Sequence, residues 1–311
     1  MIASLGEAII DFTPFERDGR LAGFELNPGG SPYNVALAAA RLGYPTSFVG
    51  RVSTDLFGRI LVERLEAEGV DTSLLLTGPE PTTLAFVAYE GGEARYSFRG
   101  ENAADALLAP GAIATGDLRR FEAVHLGSIS LLREPGASTI LGLARALAGG
   151  MTLSFDPNVR PGLVADWHAY RALLGEIARL AGLVKVSEDD LELWGEEPAA
   201  LAASGPGAVV VTRGAEGSRL YRPGLSLDVP ALPARVVDTV GAGDAFTAGL
   251  LVSLGRRGAL ARPALAALAE EEWRAALIFA SAVASLTCER RGASPPTASE
   301  VEQRLAVAGR D

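Results

Sequence analysis

The sequence predicts an α/β protein whose mostly parallel central sheet is covered by helices on both faces, and three observations carry that prediction. From Phe121 onward, short apolar runs alternate with helix-length segments: Ala123 to Leu126, a helix near 136–148, Thr152 to Phe155, a helix near 167–180, then Leu183 to Val186. Short apolar runs between helices are the pattern of strands buried on both faces. Second, 311 residues with 48% hydrophobic content can bury one large α/β domain or two smaller ones. Third, residues 237–251 read VDTVGAGDAFTAGLL. There a short apolar run, Ala234 to Val237, suited to the end of a buried strand, passes through Gly241-Ala242-Gly243 into an apolar helix stopped by Gly255.

A strand, a glycine turn and a helix in that order leave unpaired backbone N–H groups at the helix N-terminus, an anion site strengthened by the helix dipole. Asp244 lies in the first turn of that helix. It is either an ordinary dipole partner or a base that takes a proton from a group attacking the bound anion, which would make the reaction a phosphoryl transfer.

Composition excludes other classes. A formal charge of −10 without any basic run opposes nucleic-acid binding. One cysteine, Cys288, leaves no intramolecular disulfide or thiolate cluster, and two histidines far apart in sequence make no metal site or triad. The N-terminus, MIASLGEAIIDF, has no basic start and carries Glu7 and Asp11, so it reads as a buried strand with no signal peptide, and a cytoplasmic protein without membrane partners is expected. Lys185 is the only lysine. It is either a chance survivor of an arginine-biased composition or a compact charge for a phosphate, a task to which a guanidinium is less suited.

In chain order, residues 2–12 read as the first strand, ending near Asp11, and 13–28 as too irregular for a core element. Ser31 is expected to cap a helix with Pro32 at its first position, Asn34 in its first turn and Gly43 as its stop. A strand at 46–52 and a helix at 55–68 capped by Asp55 and closed by Gly69 follow. Alternating runs at 83–89 and 94–99 around Glu90-Gly91-Gly92-Glu93 predict a hairpin. Asp156-Pro157-Asn158-Val159-Arg160 ends one predicted strand, and Lys185, Ser187, Glu188 and Asp190 end the next. Val209 to Val211 runs into Thr212-Arg213-Gly214-Ala215-Glu216-Gly217 and a short strand to Tyr221. Alanine-rich stretches near 196–206 and 258–269 read as surface helices or loops, and 273–286 as an apolar helix containing Ser281.

Two of these stretches carry a family resemblance. DTVGAGD, from Asp238, resembles DTxGAGD, and GGSPYNVALAAARLG, from Gly29, resembles GGxxxNxAxxxARLG; both are signatures of the ribokinase, or PfkB, family of carbohydrate kinases. The resemblance implies one ribokinase-like three-layer domain over 1–311, with a small β lid from segments about 12–28 and 81–100. It implies Asp244 as base, with the N–H groups of Gly241, Ala242 and Gly243 and the side chain of Arg160 on the transferring phosphate. Asp11, Gly29, Gly30 and Asn34 would hold the sugar. Asn158, Lys185, Ser187, Thr212, Gly214, Gly217 and Ser281 would serve ATP. Asp190, where the family commonly has glutamate in NxxE, would serve Mg²⁺. Asp238 and a partial late-turn match at Arg290-Arg291-Gly292-Ala293 would serve K⁺.

Tyr96-Ser97-Phe98-Arg99 followed by Ala103-Ala104-Asp105 is most similar to fructokinases, which adds Tyr96 and Arg99 to the sugar site and favours fructose. 2-Keto-3-deoxygluconate is the nearest rival substrate, and ribose or a nucleoside is more distant. A nucleotide-binding regulator without catalysis and an α/β sugar-binding protein are the non-enzymatic alternatives. Family members dimerise through their lids, so a homodimer is an expectation here.

Overall fold

The computed structural model describes residues 1–90 and 93–308. The chain enters through β1 (Ile2–Leu5), then forms β2 (Ile9–Arg17), β3 (Arg20–Gly29), α1 (Ser31–Arg41), β4 (Thr46–Ser53), α2 (Leu56–Ala67), β5 (Leu75–Gly78), β6 (Leu84–Glu90) and β7 (Glu93–Arg99). After the short α3 (Thr115–Leu118) come β8 (Ala123–Gly127), α4 (Gly136–Leu147), β9 (Thr152–Asp156), α5 (Trp167–Leu180), β10 (Leu183–Ser187), α6 (Glu188–Trp194), α7 (Pro198–Ser204) and β11 (Ala208–Thr212). β12 (Ser218–Arg222), β13 (Leu225–Val229), α8 (Ala242–Arg256), α9 (Arg262–Ala267), α10 (Glu270–Cys288) and α11 (Ala298–Ala308) complete it.

Nine strands form the main sheet in the order β13-β12-β11-β10-β9-β8-β1-β4-β5. Every pair from β11 to β5 is parallel, and only the β11–β12 and β12–β13 pairs are antiparallel. Successive strand residues feed opposite faces: Leu183, Ala208 and Val210 pack with α1, α8 and α10, whereas Val184, Val209 and Val211 pack with α4, α5 and α7. Burial on both faces is why these strands lack a polar alternation. The result is the expected three-layer α/β/α fold. No helix among the described residues is long and apolar enough to cross a membrane.

The expected first strand, 2–12, is two strands in two sheets. The break falls at Gly6, where a Cβ would stand 2.5 Å from Ser130 Oγ and 2.6 Å from the Pro32 ring, so the chain turns there between the body and the second sheet. The 13–28 segment lies outside the main sheet, as expected of it, and is regular. It forms most of the antiparallel pair β2–β3, which with β6 and β7 makes a four-stranded sheet in the order β3-β2-β6-β7. Phe12, Phe24 and Phe86 cluster on this lid sheet, with Phe12 stacked on Phe86 at 5.0 Å. The turn glycines of the β6–β7 hairpin, Gly91 and Gly92, fall outside the described residues.

Local signals set several ends. Asp55 caps α2 by accepting from Gly58 N–H at 2.8 Å, and Gly43 and Gly69 adopt left-handed φ just after α1 and α2. Three expectations are corrected. Gly30, not Ser31, is the N-cap of α1; it takes φ +107°, which frees the Ser31 side chain for another partner. Ala234 to Val237 is no strand: the sheet edge is taken by β13, Val236 and Val237 are more than half exposed, and the N–H groups of Val237 and Asp238 bond to the Cys288 carbonyl at the end of α10. Helix α8 runs past Gly255 to Arg256, with Gly258 supplying the left-handed residue beyond it.

The lid is joined to the body at its base by a buried cluster. Arg133 pairs with Asp105 and donates to Thr83 Oγ1 at 2.8 Å, and Thr83 donates to Asp105 at 2.5 Å. The Asp105 side chain is only 1% exposed. Deleting one member of a buried pair strands the other charge, so Asp105→Ala is expected to lower unfolding free energy by about 3 kcal/mol in urea titrations. A midpoint unchanged from wild type would show that the cluster does not stabilise the fold.

Candidate active site

The carboxyl ends of β1, β9 and β10, the N-termini of α1 and α8, and the near end of the lid enclose a cavity of ≈ 360 Å³. Parallel α/β sheets collect their sites at this end. Asp244 lies at its centre, 7% exposed. Ser31 Oγ donates to Asp244 Oδ1 at 2.6 Å and Asn34 Nδ2 donates to Oδ2 at 2.8 Å, so α1 grips the carboxylate from across the helix pair. Asn158 Nδ2 approaches Oδ1 at 3.5 Å. It is held in turn by Arg160 Nη1, which donates to Asn158 Oδ1 at 2.6 Å, and Asn158 takes φ +40° to point inward.

The glycines of both motifs leave room for particular neighbours. A Cβ on Gly29 would collide with the Asp11 carboxylate, and one on Gly30 would stand 2.7 Å from the Glu7 carbonyl oxygen. Gly241 caps α8 at φ +75°, where a Cβ would meet Ala293 at 2.6 Å. On Gly243 it would stand 3.0 Å from Lys185 Nζ, so the ammonium lies directly against the first turn of α8. The helix terminus and Lys185 thus present positive potential to the same space. Among the described residues the N–H groups of Gly241 and Gly243 have no backbone partner. Ala242 departs from its expected part, because its N–H bonds to the Thr239 carbonyl at 3.2 Å.

Burial tunes the charges. It is the main cause pushing Asp244 up to about 6; the Ser31 and Asn34 hydrogen bonds oppose it, Asp156 adds to it and Lys185 opposes it. Asp11 is pushed up to about 7 by burial, against Arg160 and with help from Asp244 and Glu7. Burial disfavours the Lys185 charge, but Asp156, 2.9 Å away, with Asp190 and Asp244 outweighs it and pushes the lysine up. Burial likewise raises Asp190 and lowers His125 to about 3, which keeps that imidazole neutral beneath the site.

Of the residues singled out in the sequence, Asp11, Gly30, Asn34, Asn158, Arg160, Lys185, Asp238, Gly241, Gly243 and Asp244 line the cavity. Thr212, Gly214 and Gly217 lie beyond it, at the end of β11 next to β10. Ser187 caps α6 by accepting from Asp190 N–H at 3.1 Å, and Asp190 accepts from Val159 N–H at 3.0 Å. Ser281 is buried in α10 and accepts from Leu232 N–H at 3.0 Å. Both Asp238 oxygens take backbone N–H groups, from Val240 at 3.0 Å and Gly292 at 2.8 Å, which ties the DTVGAG turn to the late turn. On β7 it is Phe98 that lines the cavity, whereas Arg99 is exposed and bonds to Ser97 Oγ and the Phe98 carbonyl; the Tyr96 side chain falls outside the described residues.

Sequence reasoning missed Glu7, Ser31, Ser128 and Phe98, which also line the cavity. Glu7 is an ionisable residue only 1% exposed, and its trace in the sequence is an acid inside an apolar strand-like run. The Ser31 signal was spent on a cap that Gly30 provides.

A buried carboxylate and a lysine at a helix N-terminus, at the mouth of a three-layer α/β/α fold with a β lid, match the arrangement expected of kinases that phosphorylate a hydroxyl. The pfkB family carbohydrate kinase model matches residues 1–300, and the chain belongs to that family. A fructokinase of Rhizobium leguminosarum bv. trifolii is 38% identical over 284 residues, covering 88% of this chain and 86% of that protein. The crystal structure of Xylella fastidiosa fructokinase with bound ATP superposes with a TM-score of 0.91 at 29% identity, covering 99% and 98% of the two chains. That of Vibrio cholerae O395 fructokinase with fructose, ADP and calcium ion bound does so with a TM-score of 0.84 at 28% identity, covering 98% of each.

Because the folded pKa of Asp11 lies above its ordinary value, the stability linked to it is fully present below about pH 4 and is lost as pH rises through about 7. Asp11→Asn removes that loss. The ligand-free variant is therefore expected to gain stability relative to wild type between pH 4 and 8, read as a widening difference in urea midpoints. A difference independent of pH would show that Asp11 is not perturbed by burial.

Proposed function

We propose that this protein is an ATP-dependent fructokinase, forming fructose 6-phosphate, and that Asp244 is its base. The observation that carries the proposal is the Asp244 carboxylate, buried at the N-terminus of α8 in a cavity that it shares with Asp11, Asn34, Lys185 and Arg160. Asp11 and Asn34 offer the acceptors and donors that a polyol needs. Asp244 takes the proton of the sugar's primary hydroxyl as its oxygen forms a bond to the γ-phosphorus, and the bond to the bridging oxygen of ADP breaks. Charge on the transferring group is met by the N–H groups of Gly241 and Gly243, by Lys185 and by Arg160. A base near pKa 6 is ionised at neutral pH yet basic enough to be useful, so burial supplies what an ordinary aspartate lacks.

Glu7, Asp11, Asp238 and Asp244 all face the cavity. The carboxylate of a sugar acid such as 2-keto-3-deoxygluconate would add an anion among carboxyl groups whose ionised forms burial already penalises, so the lining favours a neutral sugar. Among the described residues no group of three or more His, Cys, Asp or Glu is gathered for a metal. Mg²⁺ carried on the nucleotide would need one or two carboxylates; Asp190, in the first turn of α6 just after β10, is the candidate, and the ion held there would neutralise phosphate charge. Asp238 organises its turn with both oxygens, so K⁺ beside it would rely on main-chain carbonyls.

Asp244→Ala is expected to lower kcat by about a hundredfold or more while leaving ATP affinity largely intact, checked by steady-state kinetics and calorimetry. Near-wild-type turnover would remove Asp244 from the base role. In an ATP-consumption panel of fructose, ribose, a nucleoside and 2-keto-3-deoxygluconate, fructose should give the highest kcat/KM, and EDTA should abolish activity. No sugar-dependent consumption at all would favour a binding protein.

The lid's outer surface supports the proposed homodimer, since Phe15 and Phe24 are about two-fifths exposed and Leu21 is 61% exposed. Light scattering should return twice the 32.3 kDa chain mass. A monodisperse monomer would remove lid pairing.

A further inference from the structure

We propose that Glu7 and Ser31 form a positioning relay for the catalytic carboxylate: Glu7 fixes the main chain at the start of α1, and the Ser31 hydroxyl, presented by that main chain, orients Asp244. This rests on the kinase function proposed above and assigns work to two side chains that touch neither signature's expected ligands.

The relay is continuous. Glu7 Oε1 accepts the Ser31 N–H at 3.0 Å, and Glu7 Oε2 accepts the Ser130 N–H at 3.2 Å and is also bonded by the Ser130 hydroxyl. The Glu7 N–H returns to Ser130 Oγ at 2.8 Å, so the carboxylate is clamped between the turn after β8 and the start of α1. One of the N-terminal N–H groups of α1 that lack an intrahelical partner is thereby satisfied by a buried side chain instead of water. Ser31 Oγ then donates to Asp244 Oδ1 at 2.6 Å. Gly30, with its φ of +107° and no room for a Cβ beside the Glu7 carbonyl, is the pivot that lets Ser31 satisfy both contacts.

A carboxylate has about four lone-pair sites. Ser31 occupies one on Oδ1 and Asn34 one on Oδ2, which stops the carboxylate rotating and leaves acceptor capacity toward the cavity for a substrate hydroxyl. Such orientation is what general-base catalysis from a buried acid requires. The other charged groups around Asp244 are Asp11 from β2, Asp156 at the end of β9, Arg160 beyond it, Lys185 from β10 and Asp238 ahead of α8. None of them lies on α1, so the hydroxyl of Ser31 and the amide of Asn34 are that helix's only holds on the base. The Ser31 bond also lowers the Asp244 pKa, which burial raises.

Ser31→Ala deletes the hydroxyl and leaves the backbone bond to Glu7. Losing a hydrogen bond to the ionised form raises the pKa of a carboxylate. The midpoint of Asp244 should therefore move up by roughly one pH unit, about the worth of one such bond. In ligand-free protein with ¹³C-labelled aspartate carboxyls, the Asp244 signal is the one missing from Asp244→Asn. In turnover, the acid limb of kcat/KM should move with it, adding roughly a fivefold loss at pH 6 to a smaller, pH-independent loss of kcat that persists at pH 8.5 and reports the freed carboxylate. Glu7→Gln turns an acceptor into a donor that faces the Ser130 N–H, and it should also move the Asp244 midpoint up. Deleting a nearby anion alone would move it down. Adding Glu7→Gln to Ser31→Ala should move it no further. An unmoved midpoint in Ser31→Ala overturns the relay, and a fully additive shift in the double variant overturns its Glu7 link. Absence of sugar-dependent turnover in wild type would instead remove the kinase reading, while the carboxyl titration would still decide the relay.

Discussion

The clasp between α1 and α8 at Asp244 is the contact on which the site depends. Ser31 and Asn34 lie 213 and 210 residues before the carboxylate they hold, so the two signature stretches of the chain become one site only when these helices pack side by side. Their shared face includes Val35, Ala38, Leu42, Ala245, Ala248 and Val252, all essentially solvent-free. Small residues let the helices approach closely, and close approach is what makes a 2.6 Å hydrogen bond possible at their N-termini.

Around that clasp the protein concentrates like charges at a cost in stability. Glu7, Asp11, Asp190 and Asp244 all sit above the ordinary carboxylate range because burial penalises their ionised forms. Lys185, paired with Asp156 and with both side chains 5% exposed or less, is the buried positive counterweight at the foot of the site. The lysine stands against the helix terminus, so its charge and the backbone dipoles point into the same space. Phosphates are the natural complement of its positive side.

The glycines that mark the motifs have physical reasons beyond turn formation. Gly29 makes room for the Asp11 carboxylate, Gly30 for the Glu7 backbone, Gly241 for Ala293 and Gly243 for Lys185. Each places backbone directly against a group in or beside the cavity. A Cβ at Gly29 or Gly243 would intrude on charged side chains, whereas one at Gly30 or Gly241 would also impose an unfavourable φ.

The sequence by itself determined whatever depends on neighbours along the chain. The strands from β8 to β11 were legible in their apolar runs. So were α2 with its Asp55 cap, α5 at 167–180, and the Asp244, Asn34, Asn158 and Lys185 side chains at element ends. Tertiary structure decided what depends on partners far away. The split of the first strand at Gly6 answers to Ser130, and the burial of Glu7 to Ser31 and Ser130. The use of Ser31 as a donor to Asp244 rather than a cap depends on Gly30 taking the cap, and the exposure of Val236 and Val237 follows from β13 occupying the sheet edge. Local propensity reports only the chemistry of a short window, and these outcomes turn on groups outside that window, from 24 to 213 residues apart, or on which strand occupies a shared edge. The basicity of Asp244 belongs to the same class, because the desolvation that lifts it to about 6 exists only once the helices close around it.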